Sequence, residues 1–144
     1  MKEVNQTGLV DSNIMVYAYD SSESKKHGTA ADFLEELWKG KKGILSMQNL
    51  AEFYFVVTEK IGKPIDRDRA KQISLDYIEG FDILRYDETT IVEAINIQNI
   101  YKIPFWDALI AATMQQNHIE TIYTENIKDF RKISWIKAVN PFSG

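Results

Sequence analysis

Three short, unbroken apolar runs govern what this chain can fold into: GLVD at 8–11, GILS at 43–46 and TIYT at 121–124. None alternates apolar with polar residues, and each is bounded by turn-forming or polar positions. That is the pattern of strands buried on both faces. FDILRY at 81–86 and SWIKAV at 134–139 are weaker candidates of the same kind. Between the runs the period changes to that of a helix. Over 29–39, Ala30, Phe33, Leu34 and Leu37 share one face, and over 47–61 Leu50, Phe53, Tyr54, Val57 and Ile61 share another. Three further helices are expected: one from Pro64 to Gly80, one opening on the acidic and hydroxyl residues of DETT at 87–90, and one opening on Pro104. Strands that alternate with helices demand crossovers. The expected fold is α/β, a central mostly parallel sheet of four to five strands flanked by helices on both faces. The polar stretch DSSESKKHG at 20–28 is expected to be an exposed loop.

With 144 residues, of which 44% are hydrophobic, residues 1–144 are expected to form a single domain around one core. The absence of cysteine excludes disulfides, thiolate nucleophiles and cysteine-type zinc sites, and fits a reducing cytoplasm. MKEVNQTG at the start has no apolar leader, and no stretch approaches the ~18 apolar residues of a membrane span, so no membrane association is expected. A formal charge of −4 argues against a generally basic nucleic-acid binder. Any contact with nucleic acid must be local, and Lys25, Lys26, Lys60, Lys63, Arg67 and Arg69 are the candidate phosphate contacts.

In an open parallel sheet, ligands bind beyond the carboxyl ends of the strands. Asp11 follows the first strand and Glu125 follows the strand at 121–124. Glu52 lies in the helix after the second strand, opposite its apolar face, and Asp107 lies in the first turn of the helix after Pro104, where the helix dipole favours a carboxylate. Each has an ordinary structural reading too: Asp11 as a helix N-cap, Glu52 as a solvated helix residue, Asp107 as a dipole-favoured first-turn acid, Glu125 as a loop acid. Convergence would change their chemistry, because clustered carboxylates must take up protons or a divalent cation. An oxygen-only donor set suits Mg²⁺ or Mn²⁺, which supports phosphate or phosphodiester hydrolysis. Asn13 and Thr124 are then supporting groups that orient the carboxylates. His27 and His118 lack the partners of a zinc site and are read as surface residues, and Trp106 is read as a packing residue.

On these residues the sequence resembles the PIN-domain ribonucleases, and within them the VapC-type toxins of toxin–antitoxin pairs. LVDSNIMVYAYD corresponds to the first motif, with Asp11 as its acid and Asn13 as the neighbour; LSMQNLAEFYFVVTEK to the second, with Glu52; IPFWDALIAATM to the third and most specific, with Asp107; and IYTENIKDF to the fourth, with Thr124 and Glu125. The family more often has Asp at the fourth acid, which leaves Asp129 as the alternative to Glu125, and Pro104 stands where a capping Ser is common. The resemblance implies a Mg²⁺- or Mn²⁺-dependent endoribonuclease, an RNA substrate, a cognate antitoxin protein and a homodimer. A catalytically silent PIN-like RNA- or protein-binding module is one alternative. A phosphatase- or receiver-like phosphate-handling domain is another, though position 13 is Asn where such a phosphatase has a second Asp. The segment EFYFVV at 52–57 carries too many large side chains for one helix face, so Phe55 or Val56 is expected to face outward toward a subunit or antitoxin.

Overall fold

Strand β1 (Gly8–Val10) runs into Asp11, whose side chain caps the short helix α1 (Ser12–Tyr17), and α2 (Ser24–Gly40) returns the chain to β2 (Gly43–Ser46). The computed structural model describes residues 6–143. Helices α3 (Met47–Glu59) and α4 (Arg67–Gly80) lead to β3 (Asp82–Leu84), and α5 (Glu88–Tyr101) and α6 (Phe105–Gln116) lead to β4 (Thr121–Tyr123). The one-turn helix α7 (Ile127–Phe130) precedes β5 (Lys137–Val139). All four pairings are parallel, in the order β3-β2-β1-β4-β5.

The five strands coincide with the five apolar runs, and the sheet is parallel throughout. From β1 the chain moves outward through β2 to β3, then crosses to β4 on the other side of β1 and ends at β5. The carboxyl ends of β1 and β4 therefore flank the point where the strand order reverses, which is where such sheets open a crevice.

Side-chain alternation divides the core into two layers. Val10, Leu45 and Tyr123 face α1 to α4 and pack with Ile14, Phe33, Leu37, Phe53 and Tyr77. Leu9 and Ile122 face the opposite way, toward α5, α6 and Phe130. Phe33 and Phe53 are almost completely buried, and truncating either to Ala would cost ~3–5 kcal/mol. Helix α6 is buried continuously from Ala108 to Met114 because it lies between the sheet and α5, and its small Ala residues permit that close packing. Its first turn, which carries Asp107, is thus held rigidly.

Three parts of the fold depart from expectation. Residues 24–28, expected in a loop, form the first turns of α2. Their local preference is weak, but Lys26 pairs with Glu125 and His27 Nδ1 lies 3.0 Å from Tyr17 O, so long-range contacts fix the turn. Trp106, expected to pack, is 61% exposed because the continuous burial of α6 begins two residues later. Helices α1 and α7 lie outside the five expected, since six and four residues are too short to display a helical period. Phe55 does face outward, at 54% exposure, while Val56 is partly covered.

Candidate active site

Asp11 is the helix cap that its sequence position allows, and its carboxylate also accepts hydrogen bonds from two distant elements. Its Oδ1 accepts the Ser12 backbone N–H at 2.8 Å, which caps α1, and also the Asn49 amide Nδ2 at 3.3 Å. Its Oδ2 accepts the Thr124 hydroxyl at 2.7 Å. The backbone holds it equally firmly, because Asp11 N donates to Tyr123 O at 2.9 Å. Burial raises the Asp11 pKa above the ordinary carboxylate value, opposed by the hydrogen bonds from Thr124 and Ser12.

Asn49 reaches Asp11 through the capping chemistry of α3. Ser46 caps that helix by accepting Asn49 N at 3.0 Å, and the Ser46 N–H donates back to Asn49 Oδ1 at 3.4 Å. This reciprocal box leaves the amide nitrogen pointing across the crevice. One turn further on, Glu52 accepts the Ser12 hydroxyl at 3.3 Å. Its pKa is raised, first by burial and then by the Asp11 charge.

Asp107 approaches from the other layer. Its pKa is raised to about 6, chiefly by burial, then by the charges of Asp11, Asp129 and Glu52, while Asn126 opposes the shift. Asn126 Nδ2 donates to Asp107 Oδ2 at 3.0 Å and to Asp129 Oδ2 at 3.2 Å, and its own N–H donates to Thr124 Oγ1 at 2.9 Å. One amide thus ties two acids to each other and to the residue that anchors Asp11.

The structure brings Asp11, Glu52 and Asp107 into one electrostatic group and attaches Asp129 to it through Asn126. Glu125 turns to a different set of partners: it pairs with Lys26 and accepts the Tyr17 hydroxyl at 2.9 Å. Its backbone N–H donates to Asn13 Oδ1 at 3.4 Å, and Asn13 Nδ2 reaches Asp11 Oδ2 at 3.5 Å. Asn13 therefore links the two groups. Lys26 also lies over the rings of Tyr17 and Phe142, 4.9 and 5.7 Å from their centroids. A cleft of ≈ 440 Å³ beside the acids is lined by Ser12, Asn13, Tyr17 and Lys60 among others. Among the described residues no three acidic or imidazole side chains, as they stand, lie close enough together to hold a metal ion. What the acids share is mutual repulsion across a partly dry crevice.

Asn49, Asn126, Ser12 and Tyr17 escaped the sequence reading. The S-x-x-N spacing at 46–49 after a strand was the available signal for Asn49, since it marks a reciprocal cap. Nothing local distinguishes Asn126 from an ordinary turn asparagine.

The PIN-domain family model matches residues 8–136. Similar solved structures include a toxin–antitoxin complex from Klebsiella pneumoniae, at 22% identity and a TM-score of 0.67, covering 94% of this chain and 98% of that one. VapBC2 from Rickettsia felis, bound to a DNA fragment from its promoter, is 22% identical with a TM-score of 0.66, covering 92% and 96%. VapC20 of Mycobacterium tuberculosis, a sarcin–ricin-loop-cleaving toxin, is 17% identical with a TM-score of 0.62, covering 83% and 90%. No curated protein sequence matches the chain. The parallel order of five strands, the crevice at its reversal and a family match spanning nearly the whole chain agree, and this chain belongs to the PIN-domain family.

Proposed function

We propose that this protein is a Mg²⁺- or Mn²⁺-dependent endoribonuclease that hydrolyses RNA phosphodiester bonds, and the toxin member of a toxin–antitoxin pair. The observation that carries the reading is the placement of three acids, the buried Asp11 and the partly buried Glu52 and Asp107, at the strand-order reversal, where burial raises all three pKa values and the Asp11 charge further raises those of Glu52 and Asp107. A fold held together with such repulsion at its centre is suited to a counter-charge. The donor set fits the metal: it is all oxygen, and Mg²⁺ takes one or two carboxylates and completes its shell with water and substrate phosphate. Asp11, Glu52 and Asp107 would hold the ion, with Asp129 as the fourth acid in preference to Glu125. When bound, the cation polarises a phosphate oxygen and lowers the pKa of a water.

The chain's own groups supply the remainder. Thr124, Asn49 and the Ser12 N–H fix the Asp11 carboxylate in one orientation, and Asn126 does the same for Asp107 and Asp129. Lys60 lines the cleft and Lys26 lies beside its Tyr17, and both offer positive charge to the RNA backbone on a chain that is acidic overall. Helix α5 exposes Ile91, Val92, Ile95 and Ile100, an aliphatic surface that supports a homodimer. The outward Phe55 on α3 supports an antitoxin contact. The toxins among the similar structures favour the same assignment, and no helix among the described residues is long and apolar enough to cross a membrane. A cytoplasmic location completes the reading.

Cleavage of total RNA with Mn²⁺, with Mg²⁺ and with chelator tests the activity. Metal-dependent fragments from the wild type, and none from Asp107→Asn, are expected. Intact RNA under every condition would overturn the proposal in favour of a silent binding module. Co-purification with the product of the adjacent reading frame tests the antitoxin.

A further inference from the structure

Trp106 is exposed where α6 begins, one residue before Asp107. Its backbone is not loose. Gln48 Nε2, on the turn of α3 that precedes Glu52, donates to Trp106 O at 3.0 Å, so the two helices that carry Glu52 and Asp107 are tied together at this residue. The indole leans edge-on against Phe105, with ring centroids 5.2 Å apart and planes at 73°. The ring is thus braced on one side and open to solvent over most of its surface. Gln48 Oε1 is buried without a hydrogen-bond partner, which leaves the amide beside Trp106 with an acceptor in reserve.

Other exposed apolar groups lack this combination. Those on α5 are aliphatic and offer no flat π-face; Tyr54 and Phe55 are aromatic, but Lys60 lies 5.5 Å from the Phe55 ring centroid and no hydrogen bond among the described residues ties either to α6; and Trp38 lies against Gly80 at the far end of the strands, where a Cβ would meet its ring at 2.6 Å. A single-stranded RNA base presents a flat, polarisable face whatever its identity, and aromatic side chains on a rigid element are what bind it. Lys26 and Tyr17, joined to Asp11 through Glu125 and Asn13, add a cation at the crevice, while Trp106 adjoins Asp107. A phosphodiester and its attached base have the same two-part chemistry.

We propose that Trp106 is the stacking platform for an unpaired RNA base next to the phosphate held at the Asp11–Glu52–Asp107 crevice, and that it sets a preference for cleavage in unpaired segments. The inference rests on the nuclease reading for its substrate class. It needs a separate readout, and intrinsic fluorescence supplies one. The chain has three tryptophans, so Trp38→Phe with Trp135→Phe leaves Trp106 as the reporter. Titration with a short single-stranded RNA oligomer should quench its emission. An abasic oligomer of equal length, which keeps the phosphates and lacks the bases, should not. In the cleavage assay Trp106→Ala should raise KM for a single-stranded RNA by about 5- to 150-fold with a smaller change in kcat, and Trp106→Phe should recover most of the loss.

Unchanged emission on adding an RNA that demonstrably binds would overturn the inference, as would an unchanged KM for Trp106→Ala. So would conversion of a dimer to a monomer by Trp106→Ala, since the indole would then be a subunit contact. If the wild type cuts no RNA, the nuclease reading fails by itself. The quenching comparison still decides whether Trp106 binds a base.

Discussion

Thr124 Oγ1 donates a 2.7 Å hydrogen bond to Asp11 Oδ2 across 113 residues of sequence. The register explains it: Val10 pairs with Tyr123, so the residues that leave β1 and β4 next are Asp11 and Thr124, side by side. Because the bond steadies an ionised carboxylate that burial disfavours, its loss should depend on pH. Thr124→Val should destabilise the metal-free protein by ~1–3 kcal/mol at pH 8. The penalty should shrink at pH 5, where Asp11 takes up a proton more readily. Urea unfolding at the two pH values measures this, and equal losses would show that Asp11 does not change its ionisation between them.

The raised acids dictate the sign of the pH dependence. Asp107 has its pKa lifted from 3.8 to about 6, and Asp11 and Glu52 are lifted too, so around pH 5 the folded state binds more protons than the unfolded chain. Stability in chelator should therefore be greatest below pH 4, as far as these groups are concerned, and should fall as pH rises to 7. For Asp107 alone the loss is on the order of 2 kcal/mol after allowance for its partial exposure to solvent. Asp107→Asn should flatten the curve. A stability that rises from pH 4 to 7 and is unaffected by this variant would refute the coupling.

Metal and substitution should act in opposite directions at Asp11. Asn keeps a cap for Ser12 N but removes a charge, so Asp11→Asn should melt higher than the wild type in chelator. The wild type should gain ~2.7 kcal/mol from Mn²⁺ at a hundred times its dissociation constant, roughly 5–10 °C in Tm, and the variant much less. Cleavage should be lost despite the higher metal-free stability. Differential scanning calorimetry with chelator and with Mn²⁺ settles the matter, equal metal shifts being the contrary result.

The fourth acid can be assigned by titration. Asp129 raises the Asp107 pKa, whereas Glu125 is engaged by Lys26 and Tyr17. Asp129→Asn should lower the Asp107 pKa in a carboxyl NMR titration and reduce cleavage by about 10- to 100-fold. Glu125→Gln should leave that pKa in place and act instead by releasing Lys26. The reverse pattern would return the fourth position to Glu125.

Helix α5 gives a test of assembly that does not touch the acids. Val92 and Ile95 are 59% and 45% exposed on it. Val92→Glu with Ile95→Lys should convert a dimer to a monomer in light scattering while leaving Tm within a few degrees. A dimer that persists would place the subunit contact on another surface.

The sequence by itself determined the elements whose signals are local. Unbroken apolar runs become central strands because both faces of a parallel sheet are buried, and the spacing of Ala30, Phe33, Leu34 and Leu37 identifies the inner face of α2 because a helix repeats every 3.6 residues. It also placed Asp11 and Glu125 just past strand ends, which the rule for open sheets carried to one edge, with Thr124 as a supporting group. Strand order and side-chain direction were decided only by the tertiary structure. Glu125 and Asp129 are four residues apart with the same charge, and what separates them is Lys26, brought from α2 to one, and Asn126, whose amide reaches the other. The same pull from Glu125 and Tyr17 drew residues 24–28 into α2 against their polar composition. Trp106 stayed in solvent because the α6 residues that pack beneath α5 start at Ala108, a boundary set by the packing of two helices and not by the hydrophobicity of one side chain.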